Sequence, residues 1–186
     1  MLILASSSPR RKEILSSITH KYKIIEPLFD ERITNYKSIK HLVKFLSLNK
    51  GLEISKNNPL DYVISADTIV SFNNRIFNKP ETKENATKYL NLLNGKTHLV
   101  YSIYYILKNS KIIKKNLSIN KVFIYPLSEI EIKKYVDSLL PLDKAGGYGI
   151  QDKDFINVKI LKGNYFSVMG LNKEKLAKDI TELNLI

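Results

Sequence analysis

The 186-residue chain contains no cysteine. That absence excludes disulfides, thiolate–metal sites and covalent catalysis by a thiol. Glycine and proline are sparse, at seven and six residues, and 44% of the residues are hydrophobic against 26% charged. These proportions are those of an ordinary globular protein, long enough to bury a real core. No apolar stretch approaches the roughly 18 residues that a membrane-spanning helix needs. The N-terminal apolar run is only four residues long and its basic residues follow it, the reverse of a secretory signal. The sequence therefore predicts a cytoplasmic protein with no membrane partner. Acidic residues are outnumbered, 18 against 30 Lys+Arg, for a net charge of +12. The lysines are spread along the whole chain rather than gathered in one segment, which argues against a dedicated nucleic-acid surface and leaves anionic small molecules equally favoured.

Arginine is scarce beside lysine. Only Arg10, Arg11, Arg32 and Arg75 occur, and two of the four are neighbours. Lysine replaces arginine readily on a solvated surface but poorly where a planar, bidentate donor is required, so the pair marks a candidate site. It follows a short apolar run, Leu2-Ile3-Leu4-Ala5, and a hydroxyl-rich turn, Ser6-Ser7-Ser8-Pro9. A strand, a turn and a helix opened by proline form a corner suited to an anion, with backbone N–H groups and Ser hydroxyls as donors.

Periodicity extends the reading along the chain. It predicts a helix over 9–18, a short strand over 22–25 and an amphipathic helix over 38–56. Residues 61–72 form an apolar strand interrupted at Ala66-Asp67-Thr68, turned back at Asn73-Asn74 toward Ile76 and Phe77. A helix over 82–93 ends at Asn94-Gly95, and two long β-runs, 97–107 and 111–125, are joined by Lys108-Asn109-Ser110. Ser128 with Glu131 predicts a capping box and a helix to about residue 140. A glycine-rich loop over 141–151, a strand over 155–161 and a helix near 172–183 complete the chain. The expectation is an α/β fold with a mixed, bent sheet, flanking helices and a groove lined by the polar residues that interrupt apolar strands.

Four constellations interrupt those apolar elements: Ser6 to Arg11, Asp30-Glu31, Asp67-Thr68 with Lys79-Pro80, and Asp143 to Gln151. Asp67 is flanked by Val63, Ile64, Ile69 and Val70, and a carboxylate in such company needs a metal, a lysine or a hydrogen-bond network. In the last loop, three glycines allow close backbone approach, Tyr148 can pack on a base, and the Gln151 amide can both donate and accept. Arginines at a helix start for phosphates, acids for a divalent cation, lysines for further negative charge and an amide beside an aromatic ring together suit a nucleoside triphosphate.

At these residues the chain resembles the Maf family of nucleoside triphosphate pyrophosphatases. The resemblance rests on Leu4 to Arg11, Asp30-Glu31, Ser65 to Val70, Asn78-Lys79-Pro80, Asn94 to His98, Asp143 to Gln151 and Gly163 to Leu171, in family order. It implies one domain over 1–186 with two lobes around a deep cleft, a fold similar to that of the inosine triphosphatases, and frequent homodimers. It also implies metal-assisted hydrolysis between the α- and β-phosphates, to a monophosphate and pyrophosphate, with Mg2+ or Mn2+ at Glu31 and Asp67. The wording of the Asp143–Gln151 loop is similar to the branch acting on dTTP and UTP. Alternatives are a 7-methyl-GTP or inosine-triphosphate-type pyrophosphatase of the same fold, or a non-catalytic regulatory or nucleic-acid-binding protein. By position, Asp67 matches the family's proton acceptor, and Arg10, Thr68 and Gln151 match its specificity positions. Glu31, Lys50 and Lys79 match polar residues near the triphosphate, and Ser6, Ser8 and Arg11 fall in the substrate-binding corner. Three departures stand out: Asn78 where glycine usually precedes Lys-Pro, Asn172 where proline usually follows Gly-Leu, and Ser102-Ile103-Tyr104 where a glycine is common.

Overall fold

The structure, a computed structural model, describes residues 1–31 and 36–185. Among the described residues, seven strands and six α-helices follow one another: β1 (Leu2–Ala5), α1 (Pro9–Ser16), β2 (Tyr22–Ile24), α2 (Ile39–Asn57), β3 (Tyr62–Phe72), β4 (Arg75–Phe77), α3 (Lys83–Leu93), β5 (Thr97–Lys108), β6 (Lys111–Ile124), α4 (Glu129–Asp137), β7 (Val158–Lys162), α5 (Tyr165–Met169) and α6 (Lys173–Glu182). The strands hydrogen-bond in the order β2-β1-β3-β5-β6-β7, with β4 also on β3. β1 runs parallel to both β2 and β3, whereas β3–β4 and β6–β7 are antiparallel, so the sheet is mixed as expected. Among the described residues no helix is long and apolar enough to cross a membrane.

Two units divide the chain. The first comprises Met1–Asp67, Ser102–Ser118 and Gly170–Ile186, the second Thr68–Tyr101 and Ile119–Met169. β3, β5 and β6 each contribute a segment to both. In the first unit, β1 and the start of β3 bury every apolar side chain from Leu2 to Leu4 and at Val63 and Ile64, and α2 lays Val43, Leu46 and Ile54 into the same core. Tyr104 of β5 is fully buried there and donates its hydroxyl to Asp179 Oδ2 of α6 at 2.6 Å, while Lys175 lies 3.0 Å from the other oxygen. In the second unit, α3 and α4 pack together through Ala86, Leu90, Leu93, Ile132 and Val136.

Local chemistry sets most boundaries. Ser38, Thr82 and Asn172 each accept a backbone N–H at the third helical residue, and Ser128 with Glu131 forms the capping box. Asn172 thus serves as a cap whose amide also reaches Ser118 at 3.1 Å, functions that a proline in its place could not perform. The turns Asn73-Asn74 and Asn109-Ser110 have positive φ at both residues, the geometry that two-residue hairpins require. Asn78 is not among the positive-φ residues; the left-handed position nearby is Glu81.

The helix after Ser128 stops at Asp137, three residues before the expected end, because Leu139 takes φ +64. Residues 155–157 are not part of β7, since the amides of Phe155 and Ile156 close a turn on the Asp152 carbonyl. The one-turn α5 escapes helical periodicity by its shortness. It is held instead by the buried Asn120 side chain, whose Oδ1 accepts from Ser167 Oγ at 2.5 Å and from Asn164 N at 3.3 Å while its amide donates to the Val100 carbonyl.

These two left-handed positions respond oppositely to substitution. Gly163 has φ +109, and a Cβ there would collide with Asn120 Oδ1. Gly163→Ala should lower stability by about 2–3 kcal/mol through strain and loss of the Asn120 contacts. Leu139 is half exposed in a conformation that favours glycine, so Leu139→Gly should raise Tm by about 2 °C. Thermal unfolding of both variants checks the pair, and equal shifts of the same sign would contradict it.

Candidate active site

Asp67 stands where β3 passes from an apolar run to Thr68, and it is the last residue of the first unit. The side chain is 10% exposed, and its Oδ1 lies 3.1 Å from Lys50 Nζ. The same ammonium is 2.8 Å from Glu31 Oε1, so one buried cation bridges two carboxylates. Lys50 reaches this point because α2 lies unusually close to the sheet. At the next residue, Gly51, an added Cβ would fall 2.5 Å from both Ser65 Oγ and Leu107 Cδ1. Any larger side chain would push the helix, and Lys50 with it, away from Asp67.

Arg11 joins the group from α1. Its Nη2 is 4.0 Å from Asp67 Oδ1, its Nη1 donates to Ser6 Oγ at 3.2 Å, and its Nε donates to the Gly170 carbonyl at 3.2 Å. Burial pushes the guanidinium pKa down, and Asp67 acts in the opposite direction. Guanidinium groups are not deprotonated in proteins, so Arg11 enters the cluster as a cation. Ser6 Oγ also accepts the Ser8 amide at 3.2 Å. Ser8 occupies the N-cap of α1 with no side-chain cap bond, and Pro9 follows at the helix start, as the sequence predicts. The first unit thereby gathers Ser6, Arg11, Glu31, Lys50 and Asp67. Arg10 is half-buried beside them and exerts a like-charge effect on Arg11. Arg32 lies outside the described residues.

The remaining predicted residues belong to the second unit. Thr68 follows Asp67 directly and is half-buried, Lys79 is exposed after β4, and Gln151 ends the glycine-rich loop. That loop contains a 3₁₀ turn, Ala145–Gly147, and is pinned from several sides. The Gly146 amide donates to the Asn78 carbonyl at 3.2 Å, and Tyr148 is hydrogen-bonded to His98 Nε2 at 2.7 Å. Both rings are buried and meet edge to face. Gln151 Oε1 is buried without a hydrogen-bond partner.

Sequence reasoning missed Tyr135, Lys144 and Asp152, which support this loop. Tyr135 donates to Asp152 Oδ2 at 2.5 Å, and Lys144 Nζ is 3.2 Å from the same oxygen. Lys144 is quoted within the family motif, yet only the fold brings it to Asp152. Tyr135 reads on α4 as an ordinary apolar-face residue beside Ile132 and Val136.

Two carboxylates converging on one cation are a donor set for a single hard metal ion. Among the described residues no group of three or more His, Cys, Asp or Glu could hold a metal. Two carboxylates are too few for a closed protein cage and are the number that a hard cation takes when phosphate oxygens and water complete its shell.

The sequence pattern of the family described as Maf-like protein matches residues 1–183. The chain belongs to the Maf family. A dTTP/UTP pyrophosphatase from Bacillus anthracis (strain CDC 684 / NRRL 3495) is 41% identical over 184 residues, spanning 99% of this chain and 96% of that protein. One of the same name from Bacillus cereus (strain G9842) is 39% identical over the same length and shares. Among solved structures, a HAM1 protein from Coxiella burnetii superposes with a TM-score of 0.52 at 15% identity, covering 97% of this chain and 98% of that one. That likeness is one of fold.

His98 gives this Maf protein a pH signature. Burial lowers its pKa from 6.5 to about 4, so the folded chain keeps the ring neutral where the unfolded chain is protonated. Its contribution is complete above the unfolded value and is lost as pH falls from 6.5 toward 4. Wild type should lose about 2 kcal/mol more than His98→Asn between pH 7.5 and 5. Urea unfolding at the two pH values measures it, and parallel losses would contradict the assignment.

Proposed function

We propose that this Maf protein hydrolyses dTTP and UTP to the monophosphate and pyrophosphate. The carrying observation is the cluster of Glu31, Lys50, Asp67 and Arg11 in a chain about 40% identical throughout to relatives named for that activity. Closely paired, oppositely charged groups that preorganise a polar site suit phosphoryl transfer, where positioning and electrostatics supply most of the rate enhancement.

In this reading a water attacks the α-phosphorus, the α–β bridging bond breaks, and Asp67 takes the proton of the water. Such general-base help contributes about 10²–10⁴-fold. Lys50 holds Asp67 and Glu31 in one place during the reaction. Arg11, fixed by Gly170 and Ser6, offsets negative charge gathering on the phosphates, with Arg10, Ser6, Ser8 and the α1 N-terminus as further donors. Lys79 draws the departing pyrophosphate. Thr68 and Gln151 select the base. Glu31 and Asp67 are the residues that hold a divalent cation, Mg2+ or Mn2+, which when bound supplies positive charge to the phosphoryl oxygens.

Pyrophosphate release from dTTP, UTP, CTP, GTP, inosine triphosphate and 7-methyl-GTP, with Mg2+ and with a chelator, tests the reading. Preference for dTTP and UTP, lost with the metal, is the expected result. Preference for a purine nucleotide would overturn the substrate assignment, and no release from any of them would overturn the enzymatic one. Asp67→Asn keeps the shape of the side chain but removes its basicity, and should lower kcat by at least about 10²-fold. An unchanged kcat would exclude Asp67 as the base.

A further inference from the structure

Lysines that the sequence scatters are drawn together at one edge of the sheet. In the second unit β6 and β7 run antiparallel, with Lys121 directly opposite Lys162 and Phe123 directly opposite Lys159. Tyr125 prolongs the contact, its amide donating to the Asn157 carbonyl at 3.0 Å. Burial alternates along this part of the chain: Asn120, Val122 and Ile124 are buried, whereas Lys121 and Tyr125 are exposed and Phe123 is half-buried. The outward face therefore carries Lys121, Phe123 and Tyr125 in succession. The two rings meet edge to face with centroids 5.3 Å apart, and Lys159 and Lys162 are exposed on the neighbouring strand.

These charges are unpaired. No Asp or Glu occurs over residues 111–128 or 155–173. Among the described residues Lys121, Lys159 and Lys162 make no ion pair, whereas Lys133, Lys175 and Lys178 each reach a carboxylate four residues further along their own helix. Like charges directly opposite one another on a sheet repel. Lysines on an edge strand guard it against pairing with another chain, which accounts for Lys159 and Lys162 on β7. Edge protection does not account for Lys121, because β6 lies between β5 and β7. An anion lodged between Lys121 and Lys162 would turn their repulsion into attraction.

We propose that this face of the second unit, formed by Lys121, Phe123, Tyr125, Lys159 and Lys162, binds single-stranded nucleic acid, the lysines taking phosphates and the rings taking unstacked bases. Lysines interleaved with aromatic rings on a sheet suit such a strand, since every base has a face to stack and the backbone supplies repeated negative charge. A duplex would satisfy the lysines but keeps its bases stacked inside, away from the rings. A second copy of this chain would bring the same lysines against one another. None of these five residues has a part in the proposed hydrolysis.

Fluorescence anisotropy of a labelled oligodeoxyadenylate mixed with the full chain tests the assignment, with α,β-imido-dTTP occupying the hydrolytic site. Binding is expected, with log K falling against log salt at a slope of about −2, as three phosphate contacts on a single strand predict. Lys121→Gln, Lys159→Gln and Lys162→Gln combined should weaken binding at low salt by about 10-fold or more and flatten the slope toward zero. Tyr125→Ser, which leaves the charges in place, should weaken binding by about 5-fold or more with the slope unchanged. All four substitutions replace exposed side chains. Absence of binding, variants that bind like wild type, equal affinity for the duplex with oligodeoxythymidylate, or capture of phosphatidylglycerol vesicles in place of the strand would each overturn the assignment.

Discussion

The ammonium of Lys50, lodged between Glu31 and Asp67, is the constraint on which the first unit's polar chemistry depends. Two carboxylates gathered on one point repel, and Asp67, buried in an apolar strand, would lose its hydration without gaining a partner. The cation resolves both problems, and the close seating of Gly51 on Ser65 is what delivers it. Arg11, 4.0 Å from the same Asp67 oxygen, completes the arrangement and is itself tied to Ser6 and the Gly170 carbonyl. The Ser6–Arg11 corner and the acid pair are thereby parts of one charge-balanced cluster. Burying one of its members without the others would be strongly unfavourable.

The second unit uses the same principle on a loop. Carbonyl and carboxylate acceptors surround Lys144, a phenol and an ammonium hold Asp152, and His98 with Tyr148 supports the glycine-rich segment from beneath. None of these groups needs to meet a nucleotide. Their consequence is that the loop from Asp143 to Asp152 is tied by side chains to α4 and β5.

Much of this was legible in the residues. Capping side chains, Asn-rich hairpin turns and the alternation of helical and strand periods located nearly every element, because each is a local signal. The Ser6–Arg11 corner and Asp67 stood out because polar groups there contradict an apolar context. Lys50 did not stand out: on a lysine-rich helix nothing local distinguishes it, and only the family alignment pointed to it. Tyr135 and Asp152 gave no signal at all, since a tyrosine on an apolar helix face reads as core and an aspartate beside Lys153 and Asp154 reads as solvated surface. The short α5 and the early stop of α4 escaped for the same reason. They are set by Asn120, distant in sequence, and by a leucine forced into a left-handed turn.

That one buried cation holds the acid pair is most directly tested by the thermal stability of Lys50→Met. At pH 7.5 the variant should melt about 6–12 °C below wild type, as expected for a buried pair broken on one side. Millimolar Mg2+ should recover part of that loss while moving the wild type less. A Lys50→Met protein as stable as wild type at pH 7.5, and indifferent to Mg2+, would contradict the role of the ammonium.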